Sequence, residues 1–196
     1  MTVLLGAALV GGTGTLMGLM ATGKLTLDTG WGRRTHALGP LTWTVDAPRE
    51  LVWQQFTSNY LGRIPRDMRD SLRLIQRGSD MVVASHRSDL GLYTAETVEA
   101  VGFDEPERIR FRHLRGPVPY AVEEFRLDEI DENTTLLTYE GELGLDWWIA
   151  GELAARYAVV PVWLDTVTAH VEASIAAVTE RAEARRRRAA RKTPRT

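Results

Sequence analysis

Between Leu72 and Leu143 the chain reads as six short strand-like runs. These are Leu72 to Arg77, Met81 to Ser85, Tyr93 to Val101, Arg108 to Arg115, Tyr120 to Leu127 and Leu136 to Leu143. Turn-forming residues separate them: Gly78-Ser79-Asp80, Asp89-Leu90-Gly91, Asp104-Glu105-Pro106, Gly116-Pro117 and Asp131-Glu132-Asn133. Connections this short join neighbouring strands only in the antiparallel sense, because a parallel pair needs a crossover of a dozen or more residues. The pattern therefore predicts an antiparallel meander. Arg108, Arg110 and Arg112 alternate with Ile109, Phe111 and His113. Period two sends the arginines to a wet face and the other set inward.

Helical signals flank the meander. Leu41 to Val45 alternates as a strand, and Asp46-Ala47-Pro48-Arg49-Glu50 opens a helix, with Asp46 or Ala47 as its cap and Pro48 in its first turn. Leu51, Val52, Phe56 and Tyr60 supply its apolar side, and the region of Arg63 to Asp67 ends it. After the last strand, Asp146 is placed to cap a long helix. Leu153, Tyr157, Val160, Leu164, Val167, Val171, Ile175 and Val178 recur at three- or four-residue intervals, forming one apolar stripe. Pro161 falls inside it and predicts a kink or break near Val160. The predicted class is α+β, with the stripe packed on the inward face of the sheet.

Composition narrows the chemistry. There is no cysteine, so disulfides, thiolate metal sites and a cysteine nucleophile are excluded. The four histidines show no HExxH or HxH spacing, and the sequence predicts no metal site. The net charge of −2 hides a division: from Arg181 onward eight basic residues and one acid give +7, leaving −9 on residues 1–180. An acidic body argues against a nucleic-acid partner. Thr2 to Thr22 carry no charge over 21 residues, enough for a helix to cross a bilayer core of about 30 Å. No positive charge precedes this run, and Leu19-Met20-Ala21 is not a small-x-small cleavage site. The first basic residues come after it, which predicts a single-pass anchor in the cell membrane with the folded part on the cytoplasmic side. Gly14 and Gly18 form a GxxxG step that would suit a homodimer through this helix. Val10 to Gly18 imitates a nucleotide-binding glycine loop, but its last glycine falls one residue late and no second strand comes after it. The expected segments are an anchor at 1–23, a linker at 24–40, a folded domain at 41–181 and a basic tail at 182–196. The tail reads either as a solvated helix end or as a contact for anionic lipid headgroups.

Trp43 to Trp53, with its Val45-Asp46-Ala47-Pro48 and Val52-Trp53, resembles the opening of the START-like, Bet v 1-like helix-grip superfamily, and most of all the polyketide cyclase/dehydrase and lipid-transport group known as SRPBCC. Glu105-Pro106-Glu107-Arg108-Ile109 resembles the turn before that group's central strand, and Thr135-Leu136-Leu137-Thr138-Tyr139 its last strand. The likeness covers about Leu41 to Arg181. It implies a sheet curved around the final helix, with a ligand cavity between them, and it brings no universal catalytic residues or cofactor. On the inward faces, period two places His113 with Phe111, Glu123 with Phe125, and Tyr139 with Leu137. Trp148, Tyr157 and Leu164 come from the helical region. These eight residues, His113, Glu123, Phe111, Phe125, Tyr139, Trp148, Tyr157 and Leu164, are the expected ligand-binding set. The expected function is membrane-associated binding or transport of a hydrophobic small molecule or lipid. Two alternatives stay open: a cyclase/dehydrase-type enzyme using His113 and Glu123 as an acid–base pair, and a non-catalytic interaction module built on the tryptophans. A satisfied buried His–Glu pair among ordinary core aromatics would also account for the same residues.

Overall fold

The computed structural model describes residues 15–16, 18–64, 66–89 and 94–192. Its elements run β1 (Arg34–Val45), α1 (Arg49–Leu61), a 3-10 turn (Arg66–Met68), β2 (Leu72–Arg77), β3 (Met81–Asp89), β4 (Thr94–Asp104), β5 (Arg108–Arg115), β6 (Tyr120–Asp131), β7 (Thr134–Leu145), α2 (Trp148–Ala154), a π-helical turn (Ala155–Val159) and α3 (Val160–Lys192). All seven strands form one antiparallel sheet in the order β1-β7-β6-β5-β4-β3-β2. The meander is the predicted one, and β1 joins its far end by pairing with β7.

Strand β1 begins at Arg34, inside the segment expected to be a linker. The Gly39-Pro40 step reads as a break, but the strand passes through it as a bulge. Leu38 faces Gly141 and Leu41 faces Tyr139, so β1 spends one extra residue. Gly39 has φ +94°, and a Cβ there would lie 2.7 Å from the Tyr139 carbonyl oxygen. Only glycine fits that backbone.

Helix α1 is capped by Pro48 rather than by Asp46 or Ala47, and no side chain caps it. The register is fixed instead by Thr135, whose hydroxyl donates to the Ala47 carbonyl oxygen at 2.8 Å. Leu51, Val52, Trp53, Thr57 and Tyr60 are buried against the sheet and α3.

The expected break at Pro161 takes the form of the π turn. The Val160 N–H donates to the Ala155 carbonyl, five residues back. Proline has no N–H to offer the preceding turn, and the wider turn absorbs that loss. Its extra residue rotates everything before it by about 100° relative to α3. The apolar stripe is therefore not continuous. Beyond the turn Val171, Val178 and Ala182 are buried on the sheet, whereas Leu153 and Tyr157 point to solvent.

Asp146 does not cap a helix. It accepts from the Thr29 N–H (2.9 Å), the Thr29 hydroxyl (2.8 Å), the Gly30 N–H (3.0 Å) and Arg33 Nε (2.7 Å). Burial alone would raise its pKa, but Arg33 and Thr29 outweigh burial and hold it below the ordinary carboxylate value. The segment before β1 is thus strapped to the end of β7.

Among the described residues no helix is long and apolar enough to cross a membrane. Most of the expected anchor, including Gly14 of the GxxxG step, lies outside the described residues, as do the last four of the tail.

Candidate functional site

Five neighbouring strands each send one polar side chain into the space under α1 and α3. They are His86 from β3, Glu99 from β4, His113 from β5, Glu123 from β6 and Tyr139 from β7. Glu99 lies directly opposite His113 across the β4–β5 ladder, just where Leu114 forms a bulge on β5. Bulges re-aim side chains: His113 keeps the inward parity of Ile109 and Phe111, and beyond Leu114 Arg115 is turned to pair with Glu96. Glu123 faces Phe111 across the next ladder, so His113 and Glu123 are diagonal neighbours rather than opposite ones. On the other side Glu123 faces Gly141. A Cβ at Gly141 would sit 2.4 Å from the Val122 carbonyl oxygen and 3.3 Å from Glu123 Cγ, so this glycine keeps the carboxylate's flank clear.

The cluster is connected. Glu99 Oε1 lies 2.6 Å from His86 Nε2, and the Tyr60 hydroxyl lies 3.3 Å from the same nitrogen. Glu123 Oε1 accepts from the Tyr139 hydroxyl at 2.5 Å and from Trp163 Nε1 at 2.8 Å. His113 Nε2 lies between the two carboxylates, 3.5 Å from Glu99 Oε2 and 3.8 Å from Glu123 Oε2. The His113 side chain is 6% exposed and the two glutamates 10%. His113 Nδ1 is buried and has no hydrogen-bond partner.

Burial sets the electrostatics. It pushes the Glu123 pKa up; the bonds from Tyr139 and Trp163 oppose this and the nearby Glu99 charge adds to it. Burial pushes His113 down, against Glu99 and with His86. Tyr139 and Tyr60 are also pushed up by burial, reinforced by Glu123 and by Glu99 with Glu123 respectively.

Aromatic rings surround the polar groups. Phe111 meets Tyr60 and Phe125 edge-on at centroid distances of 6.1 and 6.0 Å, Phe125 lies 5.0 Å from Tyr139, and His113 lies 5.1 Å from Trp163. The roof is uneven. Val160, Trp163, Leu164 and Val167, in the first half of α3, face the core yet stay half-exposed, while the second half closes tightly through Val171 and Val178.

Of the eight expected lining residues, the structure brings His113, Glu123, Phe111, Phe125 and Tyr139 together and places Leu164 at the roof. Two do not join them. Tyr157 is 69% exposed, because the π turn rotates it outward. Trp148 is 53% exposed and packs on Trp31 at 4.7 Å, because the Trp147 and Trp148 N–H groups donate to the carbonyls of Trp31 and Gly32 and turn the chain toward the strap. Sequence reasoning missed His86, Glu99, Tyr60 and Trp163. Glu99 shares the inward parity of Val101 and Phe103 and was open to detection on that ground.

Two surface pockets lie apart from the cluster. One of about 230 Å³ is walled by Leu25, Leu27, Pro117, Leu145 and Trp147 at the strap. The other, about 500 Å³, lies beside Ile64, Leu72 and Leu74. Neither is the space under α3.

Solved structures with this architecture include the Zhui aromatase/cyclase from Streptomyces sp. R1128, with TM-score 0.52 and 20% identity over 78% of this chain and 95% of that one. Norcoclaurine synthase from Thalictrum flavum, in complex with dopamine and hydroxybenzaldehyde, gives TM-score 0.60 at 13% identity over 76% and 89%. A Thermus thermophilus protein, TTHA0849, gives 0.55 at 16% over 74% and 97%. No protein-family model and no curated protein sequence matches the chain. At these identities the likeness speaks for architecture alone. The chain has the START-like, Bet v 1-like helix-grip fold.

Proposed function

We propose that this protein binds a hydrophobic small molecule or lipid between the sheet and the first half of α3, with the His113–Glu123 cluster anchoring a polar group on the cargo. The observation that carries this reading is the buried, unpartnered Nδ1 of His113 beneath a half-open roof. Folded proteins leave few buried polar atoms unsatisfied, and one set among aromatic rings suits a polar group on a ligand. The structural neighbours support the cargo class: one is an aromatase/cyclase, and another holds dopamine and hydroxybenzaldehyde.

Membrane association is the second part of the proposal. Its support is the uncharged run Thr2 to Thr22 together with Trp147, Trp148, Ile149, Leu153 and Tyr157, all exposed and all near the strap or on the helical segment next to it. Aromatic and aliphatic side chains of this kind suit a membrane interface. An acid–base enzyme of the cyclase/dehydrase type is the alternative favoured by the two carboxylates that flank His113.

Native mass spectrometry of the purified full chain, paired with titration of the lipophilic dye Nile red, tests the cargo reading. A co-purifying mass, and dye binding weakened by Leu164→Trp, are expected. No adduct and no dye binding by the wild type would overturn it. Turnover lost in His113→Ala while dye binding persists would establish the enzyme instead. Recovery of the full chain in the soluble fraction after cell lysis would overturn the membrane part.

A further inference from the structure

We propose that Glu99, His113 and Glu123 form a site for one first-row divalent cation. Glu99 Oε2, His113 Nε2 and Glu123 Oε2 converge from three adjacent strands, and one donor atom from each of these residues lies within 4.8 Å of the other two. The imidazole stands 3.5 and 3.8 Å from the carboxylate oxygens, well beyond the ~2.8 Å of a charge-assisted hydrogen bond. It is therefore not seated as a donor to either one. A cation with ligands at about 2.0–2.2 Å would sit among three such atoms after a small contraction.

The outer oxygen of each carboxylate is already held. His86 contacts Glu99 Oε1, and Tyr139 and Trp163 donate to Glu123 Oε1. For Glu123 this leaves one oxygen fixed by protein donors and the other facing the centre, which is how metal-binding carboxylates are oriented. No lysine or arginine among the described residues contacts Glu99 or Glu123. Two buried carboxylates and an imidazole with no cationic side chain leave negative charge that a divalent ion would neutralise. Two carboxylates with one imidazole favour Zn²⁺, Fe²⁺ or Mn²⁺ over soft cations. Three protein ligands leave positions open toward the groove for water or for an oxygen donor on the cargo. Histidine spacing along the chain carries no hint of this, because the ligands come from three strands.

The site uses the cluster of the proposed cargo anchor but does not depend on cargo. The test is titration of the chelator-stripped full chain with Co²⁺, read by its visible d–d absorption, with Zn²⁺ competition. One Co²⁺ per chain is expected, displaced by Zn²⁺. Glu99→Gln and Glu123→Gln, which keep size and hydrogen-bonding capacity, and His113→Ala should each weaken binding at least tenfold, and Trp163→Phe by about 10–100-fold through loss of orientation. Far-UV circular dichroism checks that each variant folds, and Tyr157→Ala should bind as the wild type does. Failure of the wild type to bind one equivalent, or equal binding by both glutamine variants, overturns the proposal. Nile red binding measured in chelator separates the readings: dye binding without metal binding refutes this site alone, and metal binding without dye binding refutes the cargo alone.

Discussion

Replacing Tyr139 with phenylalanine should cost the fold more than its small change in size suggests. The tyrosine is fully buried and its hydroxyl donates to Glu123 at 2.5 Å. A hydrogen bond to a charged acceptor contributes about 1.5–3 kcal/mol, against about 0.5–1.5 for a neutral pair. Tyr139→Phe should therefore lower stability by about 1.5–3 kcal/mol, or a melting shift of roughly 3–12 °C for a chain of this size. Glu123→Gln acts differently. It keeps an oxygen for Trp163 and Tyr139 but removes a charge that burial disfavours, so its own cost should be smaller. In the Glu123→Gln background the hydroxyl meets a neutral acceptor, and the two changes should couple by about 1 kcal/mol. Urea unfolding of the wild type, both single variants and the double variant in chelator measures this, with midpoints compared at constant m. Additive behaviour within ~0.3 kcal/mol, or Tyr139→Phe indistinguishable from wild type, would mean that the hydroxyl does not hold the carboxylate.

Asp146→Ala should destabilise by about 1–3 kcal/mol, because the Thr29 and Gly30 N–H groups lose their acceptor and Arg33 is left with Asp28 alone. Since the folded pKa of Asp146 is depressed, its contribution is complete above the unfolded value of about 3.8 and is lost as pH falls through the lower folded value. The gap between Asp146→Asn and wild type in urea midpoint should therefore close in acid; a gap constant with pH would refute the assignment. Gly39→Ala should cost about 1–3 kcal/mol from its positive φ and the clash with Tyr139, read by thermal melting. Val171→Ala should cost roughly 1.5–3 kcal/mol by loss of buried methyl groups, while Tyr157→Ala should stay within about 0.5 kcal/mol. Comparable losses at both positions would contradict the rotation assigned to the π turn.

Alternation made the sheet legible, since each strand from β2 to β7 carries its own inward and outward sets. The start of β1 was not, because Gly39-Pro40 has the composition of a loop and only pairing with β7 reveals a bulge. For the site, parity placed His113, Glu123 and Tyr139 on inward faces without knowledge of contacts. Glu99 and His86 share inward parity on the two strands before β5, but only the β4–β5 register shows that Glu99 lies opposite His113. Trp163 and Tyr157 exchanged roles for a different reason. A helical stripe assumes a constant turn, and Pro161 shows that a disturbance occurs without showing that it adds a residue.

Helix α3 outruns the domain that it closes. Its last buried residue is Ala182, yet it continues to Lys192, so ten residues, about 15 Å of rod, project past the core. Arg186 touches the carbonyl of Asp46, and the arginines after it stand in water. Because the rest of the molecule is acidic, the rod makes the protein a strong electric dipole. In dilute salt such a molecule turns its rod toward any anionic surface before contact, and ionic strength alone abolishes that alignment.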